Sequence, residues 1–176
     1  LTYNTVNILH DRVVNTKKEG SEFRVFTQSG ESFAARKLVF ATGIKAVMPE
    51  IPGFAESWGK SVLHCPYCHG YEVRGQKTGI LANGDSGYEF CSLIANWTSD
   101  LTLYTNGNST LTHEQTARLR KHRINIVEDE IGRLNQTNGY MNSIHFKTGR
   151  AELVTALYAR LPFQQHCDIP QQLGCE

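Results

Sequence analysis

The sequence predicts an α/β fold built on a parallel sheet, with β-hairpin and meander additions and a β-rich segment ahead of it. Three observations carry the prediction. Thr78–Ala82 and Leu101–Tyr104 are short apolar runs with a helical pattern between them. Strand, helix and strand within about 30 residues make a crossover unit, whose strands run parallel. Alternating, turn-bounded segments fill residues 131–159, and another alternating segment lies before residue 43.

The elements follow in chain order. Phe23, Val25 and Thr27 alternate with Arg24, Phe26 and Gln28, and turns at Lys17–Ser21 and Ser29–Glu31 bound that strand. Lys37–Ala41 reads as a strand buried on both faces, stopping at Thr42-Gly43. Pro49, Pro52, Gly53 and Gly59 break any regular element in residues 44–60. The expected organisation is therefore a first unit over 1–46, a linker over 47–60 and a second unit over 61–176. In the second unit Asn83–Ser86 reads as a loop. Gly87 to about Trp97 reads as a helix, with Phe90, Leu93, Ile94 and Trp97 on one face. Thr112-His113-Glu114-Gln115 fits a capping box that opens another helix, reaching about His122. Ile124–Val127 is the next strand, and Asn138-Gly139 and Thr148-Gly149 are hairpin turns.

Bulk properties narrow the function classes. A chain of 176 residues holds one domain, or one and part of another. With 40% hydrophobic and 20% charged residues it is globular rather than disordered. The net charge is +1 and the Lys and Arg residues are dispersed, so no nucleic-acid partner is expected. No apolar run reaches the ~18 residues of a membrane helix, so no membrane partner is expected either. The start shows no leader pattern. The chain lacks an initiator Met and ends on a polar segment, and reads as an internal piece of a longer protein. Five cysteines at irregular spacing argue against a secreted disulfide framework and for a reducing, cytoplasmic setting.

Cys65-Pro66-Tyr67-Cys68-His69-Gly70 is the most informative stretch. Two intervening residues let both sulfurs meet across one turn, so a disulfide can close and reopen with little backbone movement. A helix starting at the pair would favour the thiolate. His69 is a candidate proton carrier. Cys-x-x-Cys-His is also a c-type haem attachment pattern, half of a zinc site would have the same spacing, and so would two inert core cysteines. The redox reading leads, because no second Cys-x-x-Cys and no small helical secreted fold accompany the pair. No resident metal is expected. Cys91, Cys167 and Cys175 receive no role.

Ala82-Asn83-Gly84-Asp85-Ser86-Gly87 lies between a strand and a helix, where a dinucleotide fingerprint belongs. It reads A-x-G-x-x-G, with Ala in place of the glycine that eases the tight turn. The expected domain is therefore a Rossmann-like nucleotide-binding domain. No Asp, Glu or Arg follows the next strand, where Thr105, Asn106, Gly107 and Asn108 stand. A competent nucleotide site is not assured.

In combination and order these residues resemble the thioredoxin-reductase branch of the pyridine nucleotide–disulfide oxidoreductases. Leu38–Gly43 resembles the strand and A-T-G turn that lies near FAD in that family. Ile51-Pro52-Gly53 resembles the segment that follows, and then come the cysteine pair and the glycine loop. The resemblance implies that residues 1–46 are the tail of an FAD-binding domain, with Ala41, Thr42 and Gly43 close to the flavin. It implies a flavin-facing Cys68, a substrate-facing Cys65 and a nucleotide loop at Ala82, Asn83, Gly84, Asp85, Ser86 and Gly87. The expected activity is FAD-dependent thiol–disulfide exchange, with a thioredoxin-like protein or a small dithiol as partner, and a homodimer is compatible with it. Two departures bear on this. His69-Gly70 replaces the usual Asp-Gly, and the arginines that hold the NADPH phosphate are lacking. NAD(P)H use is thus open. An oxygen-using dithiol oxidase with an idle nucleotide domain is the alternative, and a non-catalytic nucleotide- or metal-binding domain is the second.

Overall fold

The computed structural model describes residues 3–175, and the chain divides into two units, residues 47–162 and the segments on either side of them. The flanking unit holds an antiparallel meander of β1 (Val13–Glu19), β2 (Glu22–Thr27) and β3 (Ser32–Ala35). It continues with β4 (Ile44–Ala46). The larger unit comprises α1 (Phe54–Ser57), β5 (Val62–Leu63), α2 (Pro66–His69), β6 (Thr78–Leu81), α3 (Gly84–Ile94), β7 (Leu101–Tyr104), α4 (His113–Lys121), β8 (Asn125–Val127), β9 (Ile131–Thr137), β10 (Tyr140–Phe146), β11 (Ala151–Leu153) and β12 (Ala156–Ala159). The chain then returns to the first unit with β13 (Phe163–Gln165), antiparallel to β4, and α5 (Ile169–Gln172).

The larger unit is the Rossmann-like part. Five strands form one parallel sheet in the order β5-β12-β6-β7-β8. Successive side chains of a strand point to opposite faces. Leu63, Leu103 and Tyr158 accordingly share one core with Phe90, Cys91 and Ile94 of α3 and Leu119 of α4. Val62, Tyr104 and Leu157 share the other with Ile131, Leu134, Met141 and Ile144 of the β9–β10 hairpin. Helices thus cover one face of the sheet and an antiparallel layer covers the other. The hairpin turn falls at Asn138-Gly139, with φ of 54° and 87°, as a two-residue turn with both residues left-handed requires. The capping box is present, with Thr112 Oγ1 accepting from the Gln115 N–H and Gln115 Oε1 from the Thr112 N–H.

Three expectations differ from the structure. Residues 37–41 form no strand, and Val39 is 85% exposed. An apolar strand buried on both faces needs a neighbour on each edge, and none is present among the described residues. The helix expected from Gly87 begins at Gly84 instead, because the Asn83 side chain accepts from the Gly84 N–H and caps it one turn earlier. The second unit ends at Pro162 rather than Glu176, since pairing with β4 returns residues from Phe163 onward to the first unit.

Cys91 sits in the helix-side core with no solvent exposure, and burial pushes its thiol up to about 12. The unfolded thiol ionises near ~8.5. A folded pKa above the unfolded one means the stabilisation is complete below the unfolded value and is lost as pH rises toward the folded one. Melting temperature should therefore fall between about pH 9 and 12, and less steeply in Cys91→Ala. Burial likewise raises Tyr104 and Tyr158, so part of the slope persists. Equal slopes for the two proteins would refute the assignment to Cys91.

Candidate active site

The cysteine pair is held by one helical turn that the sequence starts and stops. Cys65 caps α2 in an extended conformation, and Pro66 takes the first helical position, where a missing N–H costs nothing. The N–H groups of Cys68 and His69 both bond back to the Cys65 carbonyl, at 3.3 and 3.2 Å. This folds the turn so that the Cys68 S–H donates to the Cys65 sulfur across 3.0 Å. That hydrogen bond, with help from the backbone N–H groups of Cys68 and Tyr67, holds the Cys65 thiol below its ordinary range. The same contact and the charge on Cys65 raise Cys68. The pair is therefore asymmetric: Cys65 ionises first and Cys68 keeps its proton. Cys65 is half-buried and Cys68 exposed.

His69 follows the pair, and its Nδ1 lies 2.9 Å from Glu72 Oε2. A carboxylate on Nδ1 fixes the ring and leaves Nε2 free for proton transfer. Gly70 closes the turn against Trp97, where a Cβ would come within 2.5 Å of the indole. Beside Cys65 lies a cavity of about 290 Å³, bordered by His64, Tyr67, Phe90, Leu93, Glu89 and Arg160. Two groups here escaped the sequence reading. Glu72 was within reach of it, three residues after His69. Tyr158 was not. Its hydroxyl is buried without a partner, and burial together with the charges of Cys65 and Glu72 pushes it up to about 12.

The glycine loop is knit into the loop that follows β7. Asn83 Oδ1 accepts from the Gly84 N–H, the Thr110 N–H and the Thr110 hydroxyl, at 2.8, 2.9 and 3.2 Å, and Asn83 Nδ2 donates to the Asn108 carbonyl at 2.9 Å. Asp85 accepts from Gln115 Nε2 at 2.7 Å. Gly87 packs closely on the Ala82 backbone and Leu103, the helix–strand contact expected of the third fingerprint position. In the other unit Ala41 and Thr42 border a cavity of about 480 Å³, and Gly43 borders an adjoining one. The first is also lined by Thr16, whose buried hydroxyl has no partner. Among the described residues no three His, Cys, Asp or Glu side chains are placed to hold a metal ion, and no helix is long and apolar enough to cross a membrane.

The chain is similar to known proteins over most of its length. Residues 1–158 match the family model described as pyridine nucleotide-disulphide oxidoreductase. Thioredoxin reductase tcpT of Claviceps purpurea is 43% identical over 119 residues, which is 64% of this chain and 37% of that protein. Thioredoxin reductase aclD of Aspergillus oryzae is 30% identical over 181 residues, 95% of this chain and 58% of that protein. A crystal structure of a Bacillus anthracis protein assigned as the thioredoxin reductase TrxB superposes with a TM-score of 0.85 at 29% identity, covering 99% of this chain and 59% of that one. The chain thus spans less than two thirds of the length of these relatives. A matching family model over most of its residues, together with thioredoxin reductase homologues and structural neighbours, shows that the chain belongs to the pyridine nucleotide–disulphide oxidoreductase family, on its thioredoxin reductase-like side.

Proposed function

We propose that the chain is the disulfide-bearing part of an FAD-dependent thiol–disulfide oxidoreductase, in which electrons pass between bound FAD and the Cys65–Cys68 pair. The observation that carries the reading is the 3.0 Å sulfur–sulfur contact with its unequal thiols. In the reducing direction the Cys65 thiolate attacks a substrate disulfide. A Cys65–substrate bond forms and one substrate sulfur leaves as a thiolate, protonated from His69. Cys68 then attacks Cys65, releases the second substrate sulfur, and leaves a Cys65–Cys68 disulfide. The oxidising direction runs the same steps backwards. Glu72 orients His69 throughout. The Ala41-Thr42-Gly43 turn, with its bordering cavity and the unpartnered Thr16 hydroxyl, fits one wall of a flavin site. Bound there, FAD would supply the two-electron chemistry. The substrate is a thioredoxin-type disulfide or a small dithiol, and five cysteines at irregular spacing suit a reducing compartment such as the cytoplasm.

A second reading is an oxygen-using oxidase of small dithiols, favoured by the hydrogen bonds that fill the glycine loop. There the dithiol gives up two electrons and two protons, which dioxygen takes as hydrogen peroxide. Both readings are tested by acid-quenching the full-length protein during turnover and mapping its disulfides by mass spectrometry. The Cys65–Cys68 peptide should alternate between dithiol and disulfide. A pair that stays reduced at every stage would sink both.

A further inference from the structure

The glycine loop has the position and spacing of a dinucleotide seat, yet the residues present do not fit the group. In such a seat the second glycine lets the pyrophosphate come close to the backbone, whose N–H groups at the helix N-terminus receive it. Here the second glycine is Gly84. The space a Cβ would take on it lies 2.8 Å from Thr110 Oγ1, so this chain's own threonine occupies the approach. The Gly84 N–H is already bonded to Asn83 Oδ1. The Asn83 carboxamide behaves as an extra peptide group, accepting from Thr110 and donating to Asn108.

The loop that carries Thr110 is pinned at its start: Asn106 Oδ1 accepts from the Ile131 N–H at 2.7 Å, the Gly107 N–H bonds to the Glu128 carbonyl at 2.9 Å, and Thr105 Oγ1 donates to the Gly107 carbonyl at 2.6 Å. Charge points the same way. Residues 105–111 contain no Lys or Arg, and the first turn of α3 carries Asp85. Arg118 is engaged with Glu114 at 2.7 Å and with the Tyr88 hydroxyl. A pyrophosphate entering here meets the Thr110 hydroxyl, a used Gly84 N–H and the Asp85 carboxylate, and Arg120, which borders a cavity with Ser109 and Leu111, shares that cavity with the Glu128 carboxylate.

We propose that Asn83 and Thr110 form a clasp that closes the dinucleotide seat, so that this chain excludes NADPH and NADH despite its fold. The inference goes beyond the functional reading: a closed seat leaves the reducing direction without a nicotinamide donor and so selects the oxidising one, while thiol exchange at Cys65 and Cys68 itself does not require the seat. The test uses the full-length, flavin-loaded protein. Calorimetric titration should give no saturable binding of either nucleotide up to about 1 mM, and hydrogen exchange of the amides at 84–87 should not change when nucleotide is added. The Asn83→Gly, Thr110→Ala double variant should bind NADH at least about tenfold more tightly than the wild type. Thr110→Ala alone, a milder change, should move in the same direction. Saturable wild-type binding below about 1 mM, or nucleotide-induced protection at 84–87, overturns the proposal. So does a folded clasp-free double variant with no gain. Disulfide mapping of the pair under thiol turnover is scored separately. Its failure would remove the functional reading and leave the clasp untouched.

Discussion

Replacing either Cys65 or Cys68 by serine in the full-length protein should lower thiol turnover by roughly 10³-fold or more, and the two variants should fail at different steps. Cys65 is the sulfur that accepts: the Cys68 S–H donates to it, and that bond, with help from the backbone N–H groups of Cys68 and Tyr67, holds its thiol below the ordinary range. Cys65→Ser removes the attacking group, so no mixed disulfide forms. Cys68→Ser keeps the attacker and loses the resolver, so a Cys65–substrate mixed disulfide should accumulate and be visible by mass. The asymmetry can be read without any turnover. Iodoacetamide at neutral pH should modify Cys65 faster than Cys68. Cys68→Ala should slow the reaction of Cys65, because a thiol that loses the donor holding its pKa down is less ionised at any pH below that value. Cys68→Ser retains an O–H donor and should slow it less. Either single variant turning over at the wild-type rate would end the mechanism. A mixed disulfide accumulating on Cys68 of the Cys65→Ser protein would reverse the roles.

Much of the fold was legible because the decisive signals are local. The apolar runs at Thr78–Ala82 and Leu101–Tyr104 and the helix between them specify a parallel pair wherever they lie in the chain. The Thr112–Gln115 box and the Asn138-Gly139 turn depend on neighbouring residues only. What failed depends on partners distant in sequence. Lys37–Ala41 has a strand's composition, but a strand is completed by neighbours, and the described residues supply none. The position of β12 between β5 and β6 is set by packing that composition does not encode.

The candidate site divides the same way. Spacing singled out Cys65, Cys68 and His69 as candidates. Tyr158 comes beside them only because β12 is inserted in the sheet. The glycine loop shows the division most sharply. Its pattern departs from the fingerprint only at Ala82, while the contact between Asn83 and Thr110 that we propose closes the seat spans 27 residues. Asn83 occupies the position between the first two fingerprint residues that any side chain can fill, so the pattern gave no warning of its role.

Gly70→Ala should both destabilise the protein and misplace the cysteine pair, although alanine is ordinarily the better helix former. Backbone conformation is not the obstacle, since Gly70 has φ −60° and ψ −39°. The obstacle is space. A Cβ there would lie 2.4 Å from the Pro66 carbonyl oxygen and 2.5 and 2.7 Å from two carbons of the Trp97 indole. The indole is rigid, and Trp97 is fixed in the turn three residues beyond α3, its backbone N–H bonded to the Ile94 carbonyl and its own carbonyl to the Gly75 N–H. The single turn of α2 is the weaker partner, so the displacement falls on Pro66–His69 and hence on the contact between the two sulfurs. Overpacking of this kind costs about 1–3 kcal/mol, or very roughly 2–12 °C in melting temperature for a domain of this size. Iodoacetamide modification of Cys65 should slow in parallel, because the Cys68 S–H no longer meets it squarely. Trp97→Ala separates the two causes. If the indole is the main obstruction, the Gly70→Ala, Trp97→Ala pair should lose less than the sum of the single losses by about 0.5 kcal/mol or more. A Gly70→Ala protein that melts like the wild type and reacts at Cys65 at the wild-type rate would show that the turn tolerates a side chain there, and that Gly70 does not set the geometry of the pair.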